Sequence, residues 1–208
     1  METELNVSRE KRGLERRKLL RSIQTCGLET AAPGSFFELP GGRVTEYFNI
    51  KRACANRDLH VPLAAELHGQ LAHFEAVDAV AGIAVGGCHL ASIVAFRAAE
   101  SGHPLDALFV RKTPKKSGRT PGFVEGYIRK GAKVVILDDV IGAGRSVMAA
   151  AAHLCDAGLD VRGAIAVVDN RAEPKGALPD GTPVRSLFLI GELVCTIVDA
   201  PAVREDVG

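Results

Sequence analysis

The run Val134-Val135-Ile136-Leu137 constrains the fold more than any other stretch of the chain. It is apolar at every position, so it reads as a strand buried on both faces, as in a parallel sheet. Asp138 and Asp139 follow at once, which puts two carboxylates at the strand's C-terminal end, where open α/β sheets bind ligands. After Val140 and Ile141, the turn Gly142-Ala143-Gly144-Arg145-Ser146 can aim successive backbone N–H groups at one anion. The alanine-rich helix that continues from Val147 to Leu154 adds the positive end of its dipole. An acidic strand end that turns through glycine into a helix is common among doubly wound proteins, but paired acids make the pattern far more specific. Acids able to hold a diol beside a phosphate cradle imply a site for a phosphorylated sugar.

The chain has 208 residues, enough for one domain with a sizeable core, since 47% of them are apolar. Net charge is +1, so neither a global basic excess that would suggest nucleic acid nor an acidic excess that would suggest disorder is present. Cations bunch at Arg9–Arg21 and at Arg111–Arg119. Cys26, Cys54, Cys88, Cys155 and Cys195 are scattered without a C-x-x-C pair, which argues against a disulfide framework or a zinc site and for reduced thiols in the cytoplasm. Cys88 reads as a small core thiol. The charged N-terminus does not look like a signal peptide, and Glu2, Glu4, Glu10 and Glu15 speak against a transit peptide. Val77–Ala99 approaches membrane-span length, but Gly82, Gly86, Gly87, His89 and Arg97 break it into strand, loop and helix.

Along the chain, residues 1–28 read as one amphipathic helix, with Leu14, Leu19, Leu20 and Ile23 on its apolar side and a solvated basic face. Phe36–Leu39 and Val44–Phe48 flank Pro40-Gly41-Gly42 as a hairpin. A helix over 61–75 and a strand over 77–85 come next. Then follow a helix over His89–Ser101 and a strand over 105–111. Thr113–Gly126, with Pro114, Gly118, Pro121, Gly122 and Gly126, reads as a long mobile loop facing solvent. Strand 133–138, helix 145–157, strand 161–168, a turn region 174–183 and a last strand pair, Ser186–Ile190 with Val194–Val198, complete the chain. Alternating strands and helices predict a parallel sheet between helical layers.

The segment from Val134 to Ser146 resembles the phosphoribosyl pyrophosphate (PRPP) signature of type I phosphoribosyltransferases. Arg111, Lys112, Lys115 and Gly118 resemble the catalytic loop of the orotate phosphoribosyltransferases, and Gly82–Gly87 stands where that family has its pyrophosphate loop. Gly34–Asn49 is similar to its base-binding hood. The likeness spans about residues 30 to 190.

The resemblance implies a three-layer α/β/α fold, with residues 1–60 as N-terminal helix and hood and 61–208 as core, together one compact unit. It implies Mg2+-dependent transfer of ribose 5-phosphate from PRPP to orotate, with release of pyrophosphate, in pyrimidine biosynthesis. Asp138 and Asp139 would hold the ribose hydroxyls, and Lys115 would close over the diphosphate. The phosphate groups would fall to Arg111, Lys112, Lys116, the loop Val85-Gly86-Gly87 and the stretch Val140-Ile141-Gly142-Ala143-Gly144-Arg145-Ser146. Phe48, Asn170 and Arg171 would face the base, and Mg2+ would be held mainly by PRPP oxygens. A non-proline cis bond is expected near Val85-Gly86. The family's loop reaches into a partner subunit, so a homodimer with loop exchange is implied, with no nucleic acid and no membrane as partner.

Four positions depart from the family pattern. Gly142 stands where many relatives carry Thr, and the missing hydroxyl removes one hydrogen bond, about 1 kcal/mol if neutral. Ser117 replaces a His, and Pro40 replaces a Lys of the hood. Asn170 stands where the family often has an Arg that pairs with the orotate carboxylate; Arg171 is one residue further on. Three readings therefore stay open: an orotate phosphoribosyltransferase, a transferase for another base or small acceptor, and a non-catalytic PRPP-binding regulator.

Overall fold

The computed structural model describes residues 2–39, 42–115 and 122–193. Pro40, Lys116, Ser117 and the expected strand Val194–Val198 lie outside the described residues. The chain opens with helix α1 (Glu2–Gly27) and the short strands β1 (Leu28–Thr30), β2 (Phe37–Leu39), β3 (Gly42–Val44) and β4 (Glu46–Phe48). Helices α2 (Ile50–Cys54) and α3 (His60–Leu71) lead into strand β5 (Ala79–Ile83) and helix α4 (Gly86–Glu100). Strands β6 (Asp106–Lys115), β7 (Gly122–Glu125) and β8 (Lys133–Ile141) come next. Helix α5 (Arg145–Asp156) and strands β9 (Asp160–Asp169) and β10 (Val184–Leu189) follow.

The central sheet runs β10-β9-β8-β5-β6-β7, parallel throughout except for the antiparallel edge strand β7. β8 shows why its apolar run must lie in the middle. Val134 and Ile136 pack on the face that α5 covers, while Val135 and Leu137 pack on the opposite face with α3 and α4. All four are fully buried. The face that α4 covers also takes Leu19 and Ile23 of α1 and Ile50, Ala53 and Cys54 of α2, so one continuous core joins the N-terminal segment to the sheet. Strand order reverses between β5 and β8: the chain leaves β5 towards β6 on one side and returns to β8 on the other. The crevice outside the strands' carboxyl ends at such a point is where ligands settle.

Three expectations change. Val44–Phe48 does not pair as a whole with Phe36–Leu39. β3 pairs with β2, whereas β4 pairs with β1, which emerges from α1 with an open edge. The stretch 113–126 is not one loop: β6 continues to Lys115 and returns as β7. Between Val110↔Val124 and Lys115↔Gly122 the register slips, so the extra residues of β6 bulge outward, and Pro114, which has no N–H to donate, sits in that bulge. The basic face of α1 is only partly solvated. Arg16 donates to the Leu187 carbonyl (2.7 Å) and to Glu192 (3.0 Å), and its guanidinium lies 4.7 Å above the Phe188 ring, pinning α1 to the far edge of the sheet.

Glycines set how closely α4 approaches the sheet. A Cβ on Gly87 would stand 2.1 Å from the Leu137 carbonyl oxygen, and one on Gly82 would stand 2.2 Å from the Gly87 carbonyl oxygen. Both obstacles are backbone, so neither can swing aside. Gly87→Ala should therefore cost about 1–3 kcal/mol in denaturant unfolding, as overpacked sites do. Exposed Gly69 in α3 has open space around it, and Gly69→Ala should gain about 0.5–1 kcal/mol through helix propensity. Equal effects of the two substitutions would contradict this account of the contact.

Candidate active site

β8 outruns its neighbour. Its pairing with β5 ends at Gly82↔Leu137, whereas its pairing with β9 goes on to Ile141↔Asp169. Asp138 and Asp139 sit on this overhang, held by β9 on one side and open on the other. They are thus inside the strand rather than on a turning end as the sequence suggested, and regular alternation sends them to opposite faces. Asp138 lines a cavity of about 160 Å3 together with Val140–Val147. Asp139 lies against Gly86, so closely that a Cβ there would stand 2.3 Å from its carboxylate oxygen.

The two carboxyl groups stay in contact across the strand. Asp138 accepts the Asp139 backbone N–H (3.0 Å) and is itself only 8% exposed. Burial above all, then the Asp139 charge and a hydrogen bond to its carboxyl, push the Asp138 pKa up to about 8, against the opposing pull of Lys112.

Two helix N-termini end at this crevice without a side-chain cap. α5 starts after Gly144, which takes a left-handed conformation (φ 79°), and no acid lies in its first turn. A Cβ at Gly144 would also strike the Leu178 side chain at 2.5 Å, so glycine is required there twice over. Gly142, by contrast, faces open space. α4 starts after Val85, again with neither a capping side chain nor an acid in its first turn. The Ala84–Val85 peptide is cis, one bond before the expected place. A helix start without a capping side chain favours an anion, and Asp139 lies against the start of α4 while Asp138 lines a cavity with the start of α5.

The cations gather on the β6 bulge. Arg111 and Lys112 line a second cavity, of about 260 Å3, with Arg145, Ser146 and His153. Arg145 and Ser146 border both cavities, so the cradle and the cations face one continuous region. Lys115 reaches Glu125 of β7 instead (3.6 Å).

Residues 57–193 match the sequence profile of the phosphoribosyl transferase domain. The orotate phosphoribosyltransferase of Aquifex aeolicus is 30% identical over 183 residues, covering 87% of this chain and 98% of that relative. The chain belongs to the orotate phosphoribosyltransferase family. The enzyme of that name from Sorangium cellulosum is 37% identical over 63% of this chain and 69% of its own. The crystal structure of the Mycobacterium tuberculosis orotate phosphoribosyltransferase superposes with a TM-score of 0.73 at 22% identity. It covers 86% of this chain and 98% of that one, and so shows the shared fold.

For a member of this family, the expected base-facing residues are placed unevenly. Phe48 is half-buried and packs on the core. Asn170 is exposed at the end of β9, its N–H bonded to the Ile141 carbonyl (2.7 Å). Arg171 is committed elsewhere: its Nε and Nη2 donate to the buried Asp169 carboxylate (2.7 Å for Nη2) and its Nη1 to the Ala177 carbonyl (2.7 Å).

Sequence reading missed Glu125, whose carboxylate takes both Arg111 and Lys115, and His153, whose ring stacks on Phe123 at 3.6 Å and 6°. Taking 113–126 as loop hid the signal, a charge on a returning strand opposite a cationic one.

Asp138 also links the site to stability. Above about pH 4 the unfolded chain has lost the proton that the folded chain still holds, so stability falls as the pH rises from there towards 8. Asp138→Asn removes that loss. Its melting temperature should exceed that of the unsubstituted protein by a margin that widens between pH 5 and pH 9; a margin independent of pH would refute the protonated pair.

Proposed function

We propose that the protein transfers ribose 5-phosphate from PRPP to orotate, forming orotidine 5′-phosphate and pyrophosphate in pyrimidine biosynthesis. One observation carries the reading: a strand overhang bearing Asp138 and Asp139 beside two uncapped helix N-termini. The start of α5, with Gly142–Ser146, receives the 5-phosphate, and the open space at Gly142 lets the ligand approach the backbone. The acid pair takes the ribose hydroxyls. The start of α4, with Arg111, Lys112, Lys115 and Lys116, takes the diphosphate.

Charge builds on that leaving group as the anomeric carbon turns cationic, so preorganised N–H groups and cations stabilise the transition state more than the ground state. Ionised carboxylates beside a bound ribose would favour positive charge on it, which requires Asp138 to give up its proton when substrate binds.

Mg2+ fits the site's chemistry. Asp138 and Asp139 are hard oxygen donors, and PRPP oxygens would supply most of the ion's ligands. Bound there, the ion would neutralise diphosphate charge. The same reading places the enzyme in the cytoplasm, where thiols such as Cys26, Cys54, Cys88 and Cys155 stay reduced, and makes it a homodimer whose loops exchange. It divides the chain at residue 60 into hood and core.

A second reading, transfer to another base or small acceptor, is favoured by one observation. Arg171 is tied to Asp169 and Ala177, and the exposed residue beside it is the neutral Asn170. A carboxylated ring gains more from a guanidinium than from an amide.

Pyrophosphate release from PRPP and Mg2+ across a panel of bases decides between the two: release with orotate supports the first reading, and release with a different base alone replaces it. Asp138→Asn combined with Asp139→Asn should reduce turnover to background, and persisting turnover would refute the diol assignment. Lys115→Ala should lower kcat by about 10- to 100-fold, as for a group acting mainly on the transition state, and should weaken PRPP binding by a much smaller factor. A small, equal loss in both would count against that role.

A further inference from the structure

Glu125 belongs to none of the motifs that define the site, yet it holds two of the cations assigned to the diphosphate. It ends β7, opposite Phe109. Its carboxylate is divided between partners. Oε1 accepts from Arg111 Nη1 at 2.8 Å, and Oε2 lies 3.6 Å from Lys115 Nζ. Arg111 is folded back further by donating Nε to the Thr113 carbonyl (3.3 Å). The two cations stand on either side of the β6 bulge, and Glu125 is what they share. The Arg111 hydrogen bond, and then the Lys115 charge, hold its carboxyl below the usual carboxylate range. It is therefore ionised wherever the enzyme works.

One anionic group gripped by a guanidinium and an ammonium is also how these residues would hold one end of a diphosphate. We propose that Glu125 is a positioning residue that keeps Arg111 and Lys115 together as a pair and yields them to the substrate's diphosphate. The proposal rests on the assignment of those two cations to pyrophosphate made above.

The energetics permit the exchange. The three side chains are 36–44% exposed, a setting in which single ion pairs are weak. A diphosphate brings more negative charge to the same cations and displaces the carboxylate. While the carboxylate is in place the cations are not available, so apparent affinity is lowered by the fraction of molecules in which they are free. The clasp keeps two like charges from driving the hairpin apart, at the expense of weaker ground-state binding, and it offers a group to retake the cations when pyrophosphate leaves.

Glu125→Gln keeps the shape and removes the charge. By titration calorimetry, inorganic pyrophosphate should bind about three- to fivefold more tightly to the variant, as expected when a weak competing pair is removed. The KM for PRPP should fall by a similar factor while the KM for the acceptor base stays unchanged. In a background carrying both Arg111→Ala and Lys115→Ala, Glu125→Gln should have no effect on pyrophosphate binding.

Unchanged or weaker pyrophosphate binding by Glu125→Gln in the otherwise native chain overturns the proposal. So does an equal gain in the doubly substituted background. If Arg111→Ala with Lys115→Ala binds pyrophosphate like the native protein, the cation assignment itself is what falls, and the clasp falls with it.

Discussion

The site exists because a helix start is pressed against a strand more closely than any side chain allows. Gly82 and Gly87 remove the atoms that would hold α4 away from β5 and β8, and Gly86 lets the Asp139 carboxylate lie on the helix's first turn. Without that approach the unpaired N–H groups of α4 would point into solvent, some distance from the acids. With it, Asp139 lies against the start of α4, while Asp138 shares a cavity with the start of α5. β8 supplies the geometry from the other side, because four residues of it extend beyond the reach of β5 while β9 still holds them in register. A protruding strand is normally a liability; here it presents reactive groups from a rigid mount.

Packing acids into such a place works against stability. Asp138 is buried next to a second carboxyl, and its proton is retained well beyond the usual range for that reason. Nearby positive ends and Lys112 offset part of the repulsion, and a bound sugar and cation would offset more. The arrangement is therefore most comfortable when occupied, as expected where binding energy is directed to a charged transition state.

Much of this was legible in the chain itself. The apolar run Val134–Leu137 can only be a doubly buried strand, and the order acid, acid, glycine turn, alanine-rich helix places the cradle directly, because each step depends on neighbours in sequence. The edge of the sheet was not legible. The bulge after Val110 breaks the alternation that marks a strand, and Pro114 and Gly122 look like loop punctuation although they sit in a paired hairpin. The small strands near the N-terminus share this difficulty: Glu46–Phe48 has equal local claims to two partners, and its choice of β1 depends on where α1 ends. Roles at the acceptor end hinge on which way a guanidinium turns. Arg171 turns inward to Asp169, a fact set by the buried carboxylate and the Ala177 carbonyl rather than by spacing.

The stacked rings of Phe123 and His153 have a geometric implication. His153 lies eight residues beyond Arg145 on α5, about 12 Å along the helix axis at 1.5 Å per residue. One end of this rod carries the Gly142–Ser146 turn, and its third turn grips the hairpin that bears Arg111 and Lys115. The helix thus holds the Gly142–Ser146 turn and the β6–β7 hairpin at a fixed separation, so the two sides of the crevice cannot drift apart without breaking the ring stack.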